Sequence, residues 1–455
     1  MKKLRKYFVL PLFLVQFILI VVLPVQEAGA AENPPKVGVH AYAVMDANSG
    51  EILFGENENK RIYPASTVKM MTAVVAVENA ELTKKITVKQ SVLKKIPSDA
   101  SGVGLRAGQT YTLEQLLNLL LIASAADAAD TIAEGVCKST EKFIVKMNQK
   151  AAELGLSQTS FDNTVGLDIG NNYTKTYSTA ADIAKLARYA MSKKEIRDIV
   201  SKKNYELKNI GLLKNTNRFY FTAAYSKERY SIIGTKTGTT SAAGHALVTT
   251  ARDADGHEVI CAFFGNISGD STYKDTRKLF DYTFSNHDGK NLTLSLSFYD
   301  VRYRSSEDIL TRLCDEGLIG VSQTGEFQPA VIVKQGYFVD TLNTICNTEL
   351  LAWEKNKKVT VKDFASILYE AYPLAVNDED ILGMEALLEQ EGELLPEEMT
   401  KLTALYTAEI LPETCGYDID TLLTREDMIL IADRMEKYIE TAAKGNMLRD
   451  RIAQQ

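Results

Sequence analysis

The segment Ser66-Thr67-Val68-Lys69 places a hydroxyl nucleophile and an amine three positions apart. It follows Pro64-Ala65 and opens the apolar run 70–77, and a proline before such a run is typical of a helix start. On a helix, Ser66 and Lys69 share one face. Because a serine hydroxyl needs a neighbouring base at neutral pH, a lysine with a lowered pKa could take its proton. The helix N-terminus also offers backbone N–H groups for an oxyanion.

A four-residue motif alone occurs in many helices by chance, but two further segments extend this pattern. Ser124 follows the apolar stretch 116–123, whose helix is predicted to begin at Thr112 with a capping box to Gln115. Lys236-Thr237-Gly238-Thr239 follows the stretch 230–235, which is predicted to be a strand. S-x-x-K, a second serine and K-T-G, in this order, form the motif set of class A β-lactamases and penicillin-binding proteins.

Over residues 37–290 the chain resembles the low-molecular-mass penicillin-binding proteins, the serine D-alanyl-D-alanine carboxypeptidases. The resemblance is carried by the three motifs and by flanking segments at 41–53, 64–66, 161–168, 177–182 and 242–244. It implies that peptidoglycan stem peptides are the substrates and that β-lactams are inhibitors.

The resemblance also implies residue roles. Ser66 would attack the penultimate D-alanine, Lys69 would take the serine proton, and Ser124 would relay a proton to the leaving amine. The backbone N–H groups of Ser66 and Thr239 would stand at the oxyanion hole. The substrate would bind along the strand edge formed by Lys236, Thr237, Gly238 and Thr239, with Lys236 supplying positive charge.

Two positions depart from the family pattern. The second motif is S-x-N in the family, but here it is Ser124-Ala125-Ala126. The arginine that many relatives place before the last helix is replaced by Thr272, with Lys274 and Arg277 nearby. A non-catalytic or weakly active wall-binding protein therefore stays an alternative. A β-lactamase is a weaker one, because no E-x-x-L-N motif stands between the second and third motifs.

The elements that must position these motifs predict a sheet with helices around it. The resemblance implies the particular fold, an α/β fold of the β-lactamase and transpeptidase type with an antiparallel five-stranded sheet and a helical subdomain. A hairpin is predicted at 40–55 and a nucleophile helix at 66–80. The remaining elements are one or two helices at 112–136, further helices at 139–154, 178–191 and 272–284, and strands at 230–237, 245–252 and 257–265. We assign residues 31–290 to this domain.

The remaining segment, 291–455, is predicted to be an all-α, repeat-like domain. It carries 15 Lys and Arg against 30 Asp and Glu, whereas the whole chain has a net charge of −7. Helices are predicted at 306–317 and near 334–346, and segments 359–364 and 423–428 resemble further starts of a repeated helix pair. The segment resembles S-layer homology repeats, which implies binding to a secondary cell-wall polymer. A generic helical interaction domain is the alternative.

Residues 1–30 read as a signal peptide, with basic residues at 2–6, an apolar run at 8–25 and Ala28-Gly29-Ala30 as the cleavage site. We therefore expect an exported protein, extracellular or wall-associated, cleaved near Ala30. An uncleaved membrane anchor is the competing interpretation.

The cysteines and histidines indicate neither a disulfide framework nor a cofactor. The five cysteines are odd in number and widely spaced, although Cys314 and Cys346 could pair. The four histidines are scattered, and no pair has metal-ligand spacing. We predict no metal, no cofactor and no nucleic-acid partner.

Overall fold

A computed structural model describes residues 33–96, 100–167, 175–222, 229–287, 292, 294–296, 298–321, 324–372, 381, 395–416 and 418–453. The predicted signal peptide lies outside these residues. Across the described ranges, no helix has both the length and the apolar character needed to span a bilayer.

The predicted antiparallel sheet of five strands is confirmed, with the order β2-β1-β9-β8-β7. Strand β7 therefore forms one edge of the sheet. The described residues also form a two-stranded sheet of β3 and β4 and a short hairpin of β5 and β6, both outside the five-stranded sheet. The strands are β1 Ala41–Asp46, β2 Ile52–Glu56, β3 Lys85–Thr87, β4 Thr110–Thr112, β5 Asn204–Leu207, β6 Gly211–Lys214, β7 Tyr230–Thr240, β8 Gly244–Asp253 and β9 Glu258–Asn266.

The helices cover both faces of this sheet and then continue alone toward the C-terminus. They are α1 Lys69–Asn79, α2 Gln90–Leu93, α3 Leu113–Ile122, α4 Ala126–Cys137, α5 Thr140–Glu153, α6 Ala180–Ser192, α7 Lys194–Val200, α8 Gly269–Asn286, α9 Glu307–Asp315, α10 Gln335–Cys346, α11 Val361–Ala371, α12 Pro396–Thr407 and α13 Arg425–Ala453.

Both faces of the sheet are buried because the period of two in β1 sends alternate side chains to opposite sides. Ala43 and Met45 pack into the large core shared with α1, α3 and α6. Tyr42 and Val44 face a smaller core, where Phe280 of α8 packs. The predicted nucleophile helix forms in two parts, a 3₁₀ turn at Ala65–Val68 followed by α1.

The C-terminal helical region, residues 298–453, has its own hydrophobic core. Three equivalent segments join head to tail just before α10, α11 and α13. The Val333 N–H donates to the Leu423 carbonyl at 3.0 Å, Val359 donates to Val333 at 3.2 Å, and Leu423 donates to Val359 at 2.9 Å. These three side chains are buried, so the three helix starts close into a ring.

All five cysteines are free thiols, and Cys314 and Cys346 do not pair. The Cys346 thiol instead lies 3.3 Å from the Ala432 carbonyl, and both residues belong to the core of the C-terminal helical region.

Candidate active site

Ser66 lies in the 3₁₀ turn that precedes α1, and the side chain of Lys69 reaches back to it. Lys69 Nζ lies 2.8 Å from Ser66 Oγ and 3.3 Å from the Val165 carbonyl. Lys69 is only 1% exposed, whereas Ser66 is partly open to solvent. The serine can therefore meet a substrate while its neighbouring amine is enclosed by protein.

The surroundings of Lys69 suit it to accept a proton. Burial lowers its pKa to about 7, although the carboxylates of Asp130 and Asp127 act in the opposite direction. A neutral amine at this position would otherwise require a strongly alkaline solution. The enclosed lysine can thus serve as a base near neutral pH.

Ser124 bridges the two lysines of the site. It lies between α3 and α4 with a φ of +59°, and its Oγ lies 2.9 Å from Lys236 Nζ and 3.4 Å from Lys69 Nζ. Burial and the charge of Lys69 place the pKa of Lys236 well below its ordinary value. A proton could pass between the two amines through the Ser124 hydroxyl.

Gly238 brings the edge strand β7 against the turn that carries Ser66. A Cβ at Gly238 would lie 3.0 Å from both Ser66 N and Ala65 Cβ, so the strand can approach this closely only without a side chain. Thr239 follows on the same strand, and its Oγ1 lies 3.2 Å from His245 Nδ1. Thr237 donates from Oγ1 to Thr216 Oγ1 at 2.7 Å.

A cleft of about 600 Å³ adjoins this end of β7. Its walls include Arg61, Tyr63, Thr239, Thr240 and His245. The cleft therefore reaches the active-site end of β7 at Thr239, whereas Ser66 is not part of its lining.

Ala126 leaves the family's amide position without a polar side chain. It is 1% exposed, and its N–H donates to the Ser101 carbonyl at 2.7 Å. The next residue, Asp127, does not substitute, because its carboxylate accepts backbone N–H groups from Val103 and Leu105. Neither Ala126 nor Asp127 therefore places an amide where the family motif has its asparagine.

Lys274 and Arg277 are the two cations that the sequence offered in place of the family arginine. Arg277 pairs with Asp281. Asp281 also accepts the Tyr230 hydroxyl, at the opposite end of β7 from Thr239. Lys274 is exposed on α8, and Thr272 donates its hydroxyl to the Ser268 carbonyl.

The sequence did not single out Arg218, which lies closer to the active-site end of β7 than Arg277 does. A Cβ at Gly269 would meet both Arg218 Nη1, at 3.8 Å, and His245 Cε1, at 3.6 Å. The guanidinium is about half exposed and pairs with Asp270 at 2.7 Å. No motif in the sequence distinguishes this arginine, because only the fold brings it beside His245.

The sequence predicted no metal site, yet the fold brings three residues of metal-binding types together. Asp253, His257 and His287 each direct a ligand atom into one group. Asp253 pairs with Tyr230, at the opposite end of β7 from Thr239. His287 directly follows α8, thirty residues after His257, so spacing along the chain could not reveal the group.

The fold and the serine–lysine arrangement define the transpeptidase and β-lactamase structural class. Within that class the chain belongs to the Peptidase S11 family, described as D-alanyl-D-alanine carboxypeptidase, which matches residues 28–267.

Relatives with known names agree with this assignment. The chain is 30% identical over 257 residues to D-alanyl-D-alanine carboxypeptidase DacF of Bacillus subtilis, covering 54% of this chain and 62% of DacF. It is 31% identical to DacB2 of Mycobacterium tuberculosis, covering 57% of this chain and 87% of that protein. The chain therefore spans less than two thirds of the length of DacF.

Among solved structures, penicillin binding protein 5 from Haemophilus influenzae is similar to this chain. The TM-score is 0.51 at 28% identity, and the match covers 56% of this chain and 72% of that one. The similarity thus accounts for the sheet and its helices, and nearly half of the present chain falls outside it.

Proposed function

We propose that the protein is a serine D-alanyl-D-alanine carboxypeptidase that trims the terminal D-alanine from peptidoglycan stem peptides. The observation that carries this proposal is the 2.8 Å separation between Ser66 Oγ and the buried Lys69 Nζ, whose pKa is lowered to about 7. The proposal also rests on family membership.

In the proposed reaction, Ser66 Oγ attacks the carbonyl carbon of the penultimate D-alanine as Lys69 takes the hydroxyl proton. The carbonyl oxygen becomes an oxyanion, held by the backbone N–H groups of Ser66 and Thr239. Such preorganised donors act where charge develops, and loss of one typically costs about 10²–10³ in rate.

The tetrahedral intermediate then collapses and the C–N bond breaks. The leaving amine of D-alanine takes a proton through Ser124, which contacts both Lys69 and Lys236. Water attacks the resulting ester, gives a proton back to the enzyme and releases the shortened peptide, which restores Ser66. The substrate backbone would lie along the open edge of β7 as an added strand. Arg218 would supply positive charge for its terminal carboxylate, and that carboxylate would in turn favour protonation of Lys236, whose pKa is lowered in the free site.

Labelled penicillin tests the identity of the nucleophile. We expect one label per chain, on the peptide that contains Ser66, and no label on Ser66→Ala. Release of D-alanine from a stem-peptide analogue should disappear in the same variant. Label that persists on Ser66→Ala would overturn the assignment.

A weakly active or non-catalytic wall-binding protein is the second candidate, and the alanine at position 126 favours it. Acylation by penicillin without measurable D-alanine release would support this candidate. Rapid hydrolysis of the bound penicillin would instead indicate a β-lactamase.

For the C-terminal helical region we propose S-layer homology repeats that bind a secondary cell-wall polymer. The ring of three helix starts supports this, because Val333, Val359 and Leu423 are equivalent positions each two residues before a helix. Two of the starts have the same capping box, Thr360 with Asp363 and Thr424 with Asp427.

The full chain, first acylated with penicillin to block the Ser66 site, should co-sediment with sacculi that carry their secondary polymers. Equal binding to polymer-stripped sacculi would contradict polymer recognition. We further propose export with cleavage near Ala30, which N-terminal sequencing of the protein recovered from the wall fraction would test.

A further inference from the structure

Three segments converge on the group formed by Asp253, His257 and His287. Asp253 ends β8, His257 immediately precedes β9, and His287 follows the last residue of α8. Asp253 Oδ2 lies 2.9 Å from His257 Nδ1 and 3.3 Å from His287 Nε2. All three ligand atoms lie within 4.8 Å of one another.

These separations suit a single small cation. Bonds of about 2.0–2.2 Å in a tetrahedron place neighbouring ligand atoms roughly 3.3 Å apart. The distance from Asp253 to His287 already has this value, and the distance to His257 requires a shift of only a few tenths of an ångström. The two imidazoles are tilted by 51°, so the rings do not stack in parallel.

The turn between β8 and β9 holds the Asp253 carboxylate in place. Asp253 Oδ1 accepts the backbone N–H groups of residues 255, 256 and 257 at 2.9–3.0 Å, which leaves Oδ2 directed at the two rings. Phe284 packs edge-on against the His287 ring. Such outer contacts orient metal ligands in proteins and tune the affinity of a site.

The electrostatic surroundings favour a cation. Besides Asp253, the carboxylates of Asp46 and Asp255 favour positive charge at His257. His287 stands at the C-terminal end of α8, where the helix dipole attracts positive charge. Arg252 is a nearby positive charge that disfavours a bound cation, but its guanidinium lies 3.7 Å from the carboxylate of Glu258. The three ligands are only 8–14% exposed.

We propose that Asp253, His257 and His287 bind one Zn²⁺ ion or a similar divalent transition metal, with a water molecule as the fourth ligand. Two imidazoles and one carboxylate favour Zn²⁺ over Mg²⁺ or Ca²⁺, which prefer oxygen ligands. The ion would fasten the end of α8 to the β8–β9 turn at the point where the chain leaves the sheet. Its role is structural, and it is independent of the reaction at Ser66.

Calorimetric titration of the chelator-treated protein, prepared without a polyhistidine tag, tests the proposal. We expect one Zn²⁺ per chain, a Tm that rises with Zn²⁺ concentration and no such rise with Mg²⁺. His257→Gln and His287→Gln should each weaken Zn²⁺ binding more than tenfold, since changes to outer contacts alone cost roughly 10–100-fold. His40→Gln is the matched control, because His40 is exposed and outside the group, and it should bind as the unaltered protein does.

Co²⁺ provides a readout that needs no variant. Bound to the unaltered protein, Co²⁺ should give the intense visible absorption of a four-coordinate ion, and Zn²⁺ should remove it. Absence of one-to-one Zn²⁺ binding, absence of this Co²⁺ spectrum, or equal Zn²⁺ affinity in His287→Gln would each overturn the proposal.

Discussion

Glu258, the first residue of β9, accepts a hydrogen bond from Arg302 Nη2 of the C-terminal helical region at 2.8 Å. Arg197 of α7 pairs with the same carboxylate, and Arg302 also donates to Asn48 Oδ1 at 2.7 Å. All three charged side chains are at least 90% buried. One enclosed carboxylate thus connects the sheet, a helix beside it and the C-terminal helical region.

We predict that Glu258→Gln destabilises the protein by about 3–5 kcal/mol, because it leaves the buried guanidinium groups of Arg197 and Arg302 without their counter-charge. It also removes the carboxylate that lies 3.7 Å from Arg252. Denaturant unfolding would measure the loss. Glu51→Gln, which alters an exposed carboxylate, should change stability by less than about 0.5 kcal/mol. An equal effect of both changes would contradict a special role for Glu258.

The same carboxylate has a predicted pH signature. Burial would raise the pKa of Glu258, but Arg197 and Arg302 outweigh it and lower the pKa to about 2 from an ordinary 4.5. A depressed carboxylate pKa stabilises the folded state fully above 4.5, and this stabilisation is lost as the pH falls through about 2. The difference in stability between the unaltered protein and Glu258→Gln should therefore shrink over this acidic range.

The acylation rate should depend on the protonation of Lys69. We expect kcat/KM for D-alanine release to rise as the pH increases through about 7, where the Lys69 amine loses its proton. Asp130→Asn removes a charge that raises the Lys69 pKa, so the inflection should move to lower pH. Asp198→Asn, an exposed change on α7, is the control. An inflection that stays in place or moves upward in Asp130→Asn would contradict the assignment of Lys69 as the base.

Ala126→Asn should raise kcat/KM for a stem-peptide analogue by roughly ten- to a hundredfold. The restored amide would orient Lys69 and the substrate backbone. A hydrogen bond to a charged group is worth about 1.5–3 kcal/mol, and each 1.36 kcal/mol corresponds to a tenfold change in rate. Ala126→Leu fills a similar volume without polar atoms and should not raise the rate. An unchanged or lower kcat/KM in Ala126→Asn would contradict this account and would show that the site functions best with alanine at this position.

Gly238→Ala should slow acylation by labelled penicillin at least tenfold. The added methyl group would lie 3.0 Å from Ser66 N and would push β7 away from the nucleophile, which disturbs one oxyanion donor. Gly38→Ala is the matched control, because no atom lies within 4 Å of a Cβ at that position. Equal acylation rates in the two variants would show that the close approach of β7 is dispensable.

Local patterns in the sequence predicted most of the sheet and the helix that follows Ser66. The hairpin at 40–55 and the three late strands were predictable because each strand carries its own periodicity and turn residues. The hairpin β5–β6 was missed, since its four-residue strands, Asn204–Leu207 and Gly211–Lys214, are too short to show a clear period.

The site could be predicted only as far as its motifs reach. The spacing of Ser66 and Lys69 indicated their contact, and family order linked them to Ser124 and Lys236, whose chemical roles stay predictions. The positions of Arg218 beside His245, and of His287 beside Asp253, depend on contacts between distant parts of the chain. No local pattern encodes such contacts.

The ring formed by Val333, Val359 and Leu423 differs from an open stack of repeats. An open stack can gain or lose units at its ends, and its terminal repeats need a polar outer face. Here each backbone N–H of the ring finds its acceptor in the next segment, and the last one returns to the first. The three segments are therefore mutually dependent, because removal of any one of them would leave a backbone N–H in one remaining segment and a carbonyl in the other without the partner they have here.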